Sequence, residues 1–236
     1  MANPWFRFKQ FIIQQDRSAF KVGTDGVLLG AWVDTEGLSS VLDVGTGTGL
    51  LALMLAQRSD ANITAIEIDR NSFEEAEQNV NESRWFNRIE VVHCSLEDFT
   101  PGMKYDLVIS NPPFFQDSLR PDDQGRSLSR HDTRLSLKDL AHTVPQLMND
   151  KGRFCLILPV EESKIMERYC FEAGLSLHRL LEIRPKRGHP VKRHLLEFRF
   201  NQLEELLREE LIVEYASRHD YTEEYRELTR EFYLNF

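Results

Sequence analysis

The sequence predicts an α/β protein, and three stretches carry that reading. A short apolar run, Val41 to Val44, passes into Asp43-Val44-Gly45-Thr46-Gly47-Thr48-Gly49 and then into an apolar helix through Leu50, Leu51, Leu53, Met54 and Leu55. This is a strand, a glycine turn and a helix. A second strand, Ile63 to Ile68, brings Glu67 to a position 18 residues past Gly49. In nucleotide-binding α/β units an acid meets ribose hydroxyls at an offset of about 20 residues. A third run, Asp106 to Ser110, stops at Asn111-Pro112-Pro113-Phe114, because two prolines cannot extend a hydrogen-bonded ladder.

The remaining elements follow in order. Residues 5–21 mix aromatics with Arg7, Lys9, Arg17 and Lys21 and read as short strands or an extended arm. Gly23 and Gly26 mark a turn into a short helix over Val27 to Trp32, with Thr24 and Asp25 as helix-start residues. Residues 70–84 form a polar helix with Phe73, Ala76 and Val80 on one face, capped by Asp69. Ile89 to His93 is a further strand, followed by Cys94, Ser95 and Leu96. Residues 116–135 form a loop of a length uncommon unless functional or disordered, carrying Arg120, Arg126, Arg130, His131 and Arg134. Ser136-x-x-Asp139 has capping spacing and opens a helix ended by Gly152. Arg153 to Leu158 is a strand, Glu161 to Ala173 a helix, and two strands follow, over Ser176 to Ile183 and Leu195 to Phe200. Beyond them, Leu203, Leu206, Leu207 and Leu211 fall on one helical face, and Tyr221, Tyr225, Leu228 and Phe232 on another, so residues 201–236 read as a helical extension packed on the domain of residues 1–200.

With 236 residues, 41% of them hydrophobic, the chain suffices for one large core and appendages. Its three cysteines are widely spaced, odd in number and include no C-x-x-C pair, so neither a disulfide framework nor a zinc site is indicated. No apolar run reaches the roughly 18 residues of a membrane span, and Met1 to Phe11 lacks a signal-peptide layout. A reducing cytoplasm is the expected compartment. The net charge of −9 argues against a nucleic-acid partner only at first sight. Residues 201–236 hold ten acids and four bases, whereas Arg184 to His194 holds five Lys/Arg, two His and no acid. That local patch favours a phosphate contact.

The glycine spacing departs by one residue from the dinucleotide form G-x-G-x-x-G, and no basic residue in the turn awaits a pyrophosphate. An unphosphorylated nucleoside fits better, with Glu67 on its ribose and Asp43 facing a positive tail; S-adenosylmethionine has that shape. At Asn111 to Phe114 the side-chain oxygen of Asn111 and the carbonyls of two prolines offer acceptors without donors, beside the flat face of Phe114. Such a corner suits a planar group bearing an –NH2.

These motifs in this order (DVGTGTG, IEID, SNPPF) resemble the class I S-adenosylmethionine-dependent amino-methyltransferases. With KVGTDGVLLGAW, R-x-x-x-R-H-D-T-R-L-S-L, PKRGHPVKR and the tyrosine-rich tail, nearly the whole chain resembles the bacterial tRNA1(Val) (adenine-N6)-methyltransferases. The resemblance implies a Rossmann-like, seven-stranded, mostly parallel sheet with helices on both faces and the last strand antiparallel. It implies methylation of N6 of adenine 37, beside the tRNA anticodon; a monomer without a metal is the expected state. Asn111, Pro112, Pro113 and Phe114 would be the catalytic motif. Lys21, Thr24 and Asp25 would lie near the methionine end of S-adenosylmethionine, and Asp43, Gly45, Thr46, Gly47 and Gly49 would cradle it. Glu67 and Ile68 would meet its ribose, and Ser95 and Leu96 its adenine, although related methyltransferases usually have Asp where this chain has Ser95. Arg126, Arg130, Arg134, Arg184, Lys186, Arg187, Lys192 and Arg193 would hold the anticodon arm. N-P-P-[FY] also serves guanine N2 in ribosomal RNA and glutamine side chains in proteins, so these remain alternatives. A cofactor-sensing RNA binder without turnover is the reading from another class, and a nicotinamide-dependent dehydrogenase is disfavoured by the glycine spacing.

Overall fold

The computed structural model describes residues 3–18, 21–113, 135–200 and 205–236. A two-stranded antiparallel hairpin, β1 (Trp5–Arg7) and β2 (Ile12–Gln14), precedes helix α1 (Thr24–Trp32). Then come β3 (Ser40–Val44), α2 (Leu50–Arg58), β4 (Asn62–Glu67), α3 (Arg70–Asn81), β5 (Ile89–His93) and β6 (Tyr105–Ser110). After these follow α4 (Leu137–Leu147), β7 (Met148–Pro159), α5 (Val160–Glu172), β8 (Leu175–Lys186), β9 (Arg193–Phe200), β10 (Leu207–Glu214) and α6 (Glu223–Thr229). The main sheet has eight strands in the order β10-β8-β9-β7-β6-β3-β4-β5. Only β9 runs antiparallel to its neighbours.

Two apolar layers cover the sheet. One joins the N-terminal arm, α1, α2 and Tyr225 and Phe232 of the C-terminal segment to Val41, Ile109, Cys155 and Leu195. The other joins α4 and α5 to Leu42, Val108, Phe154 and Leu196. Consecutive strand residues enter opposite layers, which explains why β3, β6 and β7 read as unbroken apolar runs. Cys155 and Cys170 are buried free thiols, and burial pushes both above the ordinary thiol range. Asp69 caps α3 by accepting from Ser72 N at 2.9 Å, and Ser136 caps α4 by accepting from Asp139 N at 3.0 Å. Among the described residues no helix is long and apolar enough to cross a membrane.

The C-terminal segment departs from expectation. Residues 207–214, read from leucine spacing as helix, form β10, an eighth strand on the edge of β8. Ile212 and Val213 are β-branched, and β8 otherwise leaves a row of backbone groups unpaired, so the ladder outweighs the helical spacing. Pairing Leu207 with Arg179 through Glu214 with Lys186 also sets acids beside bases. Arg179 pairs with Glu209 at 2.7 Å, Arg184 with Glu210, and Lys186 with Glu214 at 3.5 Å. Helix survives only in α6, and residues 201–204, with Leu203, lie outside the described residues.

Leu211 is the buried anchor of β10, at 5% exposure. Leu211→Ala should cost about 2–4 kcal/mol of unfolding free energy, measured by urea denaturation.

Candidate active site

The chain builds β3, β4 and β5 outward in one direction and then returns to place β6 on the other side of β3. The carboxyl ends of β3 and β6 therefore flank the point where strand order reverses, the usual ligand crevice of an open α/β sheet. Ser110 Oγ at the end of β6 donates to Val44 O at 2.8 Å, joining the two strand ends directly. The residue after Ser110 is Asn111 and the residue after Val44 is Gly45, so both candidate motifs meet at this seam.

The glycine turn leaves β3 through Gly45, Gly47 and Gly49, with φ of 71°, 59° and 81°. Side chains with a Cβ disfavour this region, so glycine is required. A Cβ on Gly45 or Gly47 would meet nothing within 4 Å, whereas one on Gly49 would lie 3.6 Å from Ala76 of α3. Gly49 thus serves the packing of α3, while Gly45 and Gly47 leave room for a ligand against bare backbone. Glu67, 8% exposed, is held by two backbone donors: Gly47 N to Oε2 and Asp69 N to Oε1, each at 2.9 Å. Ile68, the residue after β4, is exposed, whereas Leu96, beyond β5, is buried in the apolar layer that holds Ile66.

Asp43 is fully buried; its Oδ2 accepts from Thr46 Oγ1 at 2.5 Å, and Oδ1 has no partner in hydrogen-bond geometry. Burial pushes its pKa up to about 7; the Thr46 hydroxyl and, more weakly, the Ala52 N–H pull it down, and the Glu67 charge raises it. A turn with two acids beside it and no Lys or Arg within residues 43–49 fits a ligand that brings hydroxyls and a positive charge, as S-adenosylmethionine does. It does not fit a pyrophosphate.

Asn111 is half-buried and Pro112 buried. Gly26 of α1 faces them: a Cβ there would lie 3.6 Å from Asn111 Nδ2 and 2.9 Å from Leu50 Cδ2. The missing side chain lets the start of α1 close on Asn111. Thr24 is the first residue of α1, capped by Gly23 without a side-chain bond. Asp25 bonds Arg193 at 2.8 Å, and exposed Lys21 donates to Gln15 O. Phe114, Arg126, Arg130 and Arg134 lie outside the described residues.

Two contacts were hidden from sequence reading. Ser95 Oγ donates to Asp98 Oδ2 at 2.7 Å and accepts from Asp98 N at 3.0 Å, so a carboxylate stands beside this hydroxyl after all. Its signal was the Ser-x-x-Asp spacing, the same one used at Ser136. The second is the partnering of the basic loop. The strand order sets the β8–β9 connection at the same end of the sheet as Asn111, but Arg184, Lys186 and Arg193 are paired with Glu210, Glu214 and Asp25. Arg187 and Lys192 are exposed and form no ion pair among the described residues.

Known proteins place the chain in a family. Residues 19–131 match the family model described as Methyltransferase small domain. A tRNA1(Val) (adenine(37)-N6)-methyltransferase of Bacteroides thetaiotaomicron is 47% identical over 100% of this chain and 99% of its own. The chain belongs to this methyltransferase family. A relative of the same description from Trichodesmium erythraeum is 43% identical over 100% of both chains. Solved structures share the fold at lower identity. A "predicted O-methyltransferase" of Agrobacterium tumefaciens has a TM-score of 0.68 at 20% identity, covering 88% of this chain and 96% of its own. The ribosomal protein L11 methylase of Lactobacillus delbrueckii subsp. bulgaricus has a TM-score of 0.58 at 19% identity, covering 80% and 84%. The Rossmann-like class I methyltransferase fold is thus shared, with β10 added at the edge.

Asp43 makes the ligand-free protein pH-sensitive. Its folded pKa of about 7 lies above the ordinary 3.8, so the native state holds a proton that the unfolded state has released between those values. Its contribution to stability is therefore full below pH 4 and lost as pH rises through 7. In thermal melts, Asp43→Asn should gain on the wild type as pH rises from about 4 to about 7 and level off above that. A difference that stays flat with pH would contradict the burial of a titrating carboxyl here.

Proposed function

We propose that this protein transfers a methyl group from S-adenosylmethionine to the exocyclic N6 amine of adenine 37 in tRNA1(Val). The observation that carries it is full-length similarity to relatives of that activity, at 47% identity for the Bacteroides thetaiotaomicron protein. The cofactor, when bound, supplies a methyl carried on a positively charged sulfonium. Gly45 and Gly47 give it backbone to lie against, Glu67 accepts from its ribose hydroxyls, and Asp43 balances its positive charge. Lys21, Thr24 and Asp25 border its methionine end, and Thr46 holds Asp43 in place. Ile68 borders its ribose beside Glu67, and the chain at Leu96 borders its adenine, with the Ser95–Asp98 pair as the polar contact.

An adenine amine is a weak nucleophile because its lone pair is drawn into the ring. Asn111 Oδ1 and the Pro112 carbonyl accept its two hydrogens, which localises the lone pair on nitrogen. Pro113 adds no donor to disturb them, and Phe114 stacks on the base, a contact worth about 1–3 kcal/mol. The amine sheds a proton only after it has become positively charged, so this site works by positioning and hydrogen bonding rather than by a strong base. The target base must leave its stack to enter.

The basic loop places phosphates of the anticodon arm beside Asn111. Within it Arg187 and Lys192 make the main contacts; Arg184, Lys186 and Arg193 share their charge with acids and chiefly shape the loop. Arg126, Arg130 and Arg134 add to the RNA surface. The enzyme acts in the cytoplasm as a monomer, without a metal.

Radiolabelled methyl transfer to tRNA1(Val), ribosomal RNA and a release-factor protein, run side by side, should label the tRNA alone. Asn111→Ala should lower kcat on it by about 100-fold or more while cofactor binding persists. Near-normal turnover would refute the acceptor role.

Arg187→Ala/Lys192→Ala should weaken tRNA binding and reduce the slope of log K against log salt by about 1.5. Arg184→Ala/Lys186→Ala should change it by less than half of that. Equal slopes for both pairs would contradict the division drawn here between free and paired cations.

A further inference from the structure

Helix α3 buries a polar stripe beside the expected apolar residues Ala76 and Val80. Ser72, Glu75 and Asn79 recur at spacings of three and four and are all at most 3% exposed, whereas Phe73 is only half-buried. A buried carboxylate and amide are retained only where partners compensate their lost water. Here the partners are the N-terminal arm and the glycine turn.

Glu75 Oε1 accepts from Arg17 N at 2.8 Å and Oε2 accepts from Ser18 N at 2.9 Å. Ser72 Oγ donates to Ser18 Oγ at 3.1 Å. Asn79 Oδ1 accepts from Gln14 N at 2.8 Å, and its Nδ2 donates both to Gln14 O and to Thr48 O, each at 2.9 Å. One amide therefore joins the arm to the glycine turn, segments 34 residues apart in sequence. Ala76, on the same face, is the residue against which Gly49 packs. Further along, Val22 N donates to Gln15 Oε1 at 2.7 Å, so the anchored part of the arm also holds the approach to α1.

We propose that Glu75 and Asn79 are positioning residues for cofactor binding. They clasp residues 14–18 to α3, and through Thr48 O to the glycine turn, so that arm and turn form one wall of the cofactor cleft. Neither side chain touches the cofactor. Their effect is to fix where Gly47 lies and where the chain from Lys21 to Asp25 begins. A surface arm held only for stability would not need an amide bonded to the turn itself. The proposal rests on the cofactor reading above, but not on the choice of RNA.

Two near-isosteric variants of the full chain test it. Glu75→Gln replaces one acceptor with a donor facing a backbone N–H. Asn79→Asp replaces the bridging donor with an acceptor facing two carbonyls. Titration calorimetry with S-adenosylhomocysteine alone should show Kd raised about tenfold, and limited trypsin digestion should cut faster at Arg17 and Lys21. With tRNA, KM for S-adenosylmethionine should rise about tenfold while kcat falls less than twofold. Faster cleavage with an unchanged Kd would overturn the proposal, as would unchanged cleavage, or a fall in kcat at constant KM. Should either variant lose its cooperative melt, Ser18→Pro removes the N–H that Glu75 accepts from the arm side and leaves α3 intact; the Kd outcome and cleavage at Lys21 then decide, since trypsin does not cut an Arg–Pro bond. A wild-type chain that binds S-adenosylhomocysteine yet methylates no tRNA would remove the RNA reading and leave the clasp to be judged on Kd.

Discussion

The seam between β3 and β6 governs this molecule. Two strands far apart in sequence lie side by side, with Asp43 opposite Ile109 and Ser110 bonded to Val44 O. Because β6 returns to the inner side of β3, the acceptor corner at Asn111 and the glycine turn at Gly45 emerge as neighbours. Moving β6 to the outer edge beyond β5 would preserve every local motif and separate the two halves of the site. The burial of β3 and β6 on both faces holds this arrangement, since neither strand has a polar face to offer water.

Around that seam the polar groups do structural and chemical work together. Glu67 ties the glycine turn to the start of α3 through Gly47 and Asp69, which leaves its remaining lone pairs directed and its position set before any ligand arrives. Asp43 is buried at the cost of an elevated pKa and an unsatisfied oxygen, a local conflict of the kind found where binding is to compensate it. Asn79 and Glu75 extend the same logic to the arm. Preorganisation here is a matter of which hydrogen bonds are already made.

The sheet edge solves a different problem. β8 would present an unpaired strand beside a basic loop, and β10 covers it while bringing Glu209, Glu210 and Glu214 within ion-pair reach of Arg179, Arg184 and Lys186. Solvated pairs of this kind contribute little stability, about 0–1 kcal/mol each. Their consequence is selective: they leave Arg187 and Lys192 as the exposed charges of the loop. The acidic tail and the basic run, opposite features in the sequence, are one surface in the fold.

From sequence alone, the strand–turn–helix at residues 41–55, the acid at Glu67, the Asn-Pro-Pro stop and the caps at Asp69 and Ser136 were determined, because each is a local pattern whose chemistry acts over a few residues. The helical period misled over residues 207–211, because leucine spacing cannot register a vacant strand edge elsewhere in the chain. The acid partners of the basic loop, the Asp25–Arg193 bond, the polar face of α3 and the meeting of Asn111 with the glycine turn were decided only by tertiary structure. Each depends on which distant segment lies opposite, a choice set by strand order and the burial of two apolar layers, and no short stretch of sequence contains it.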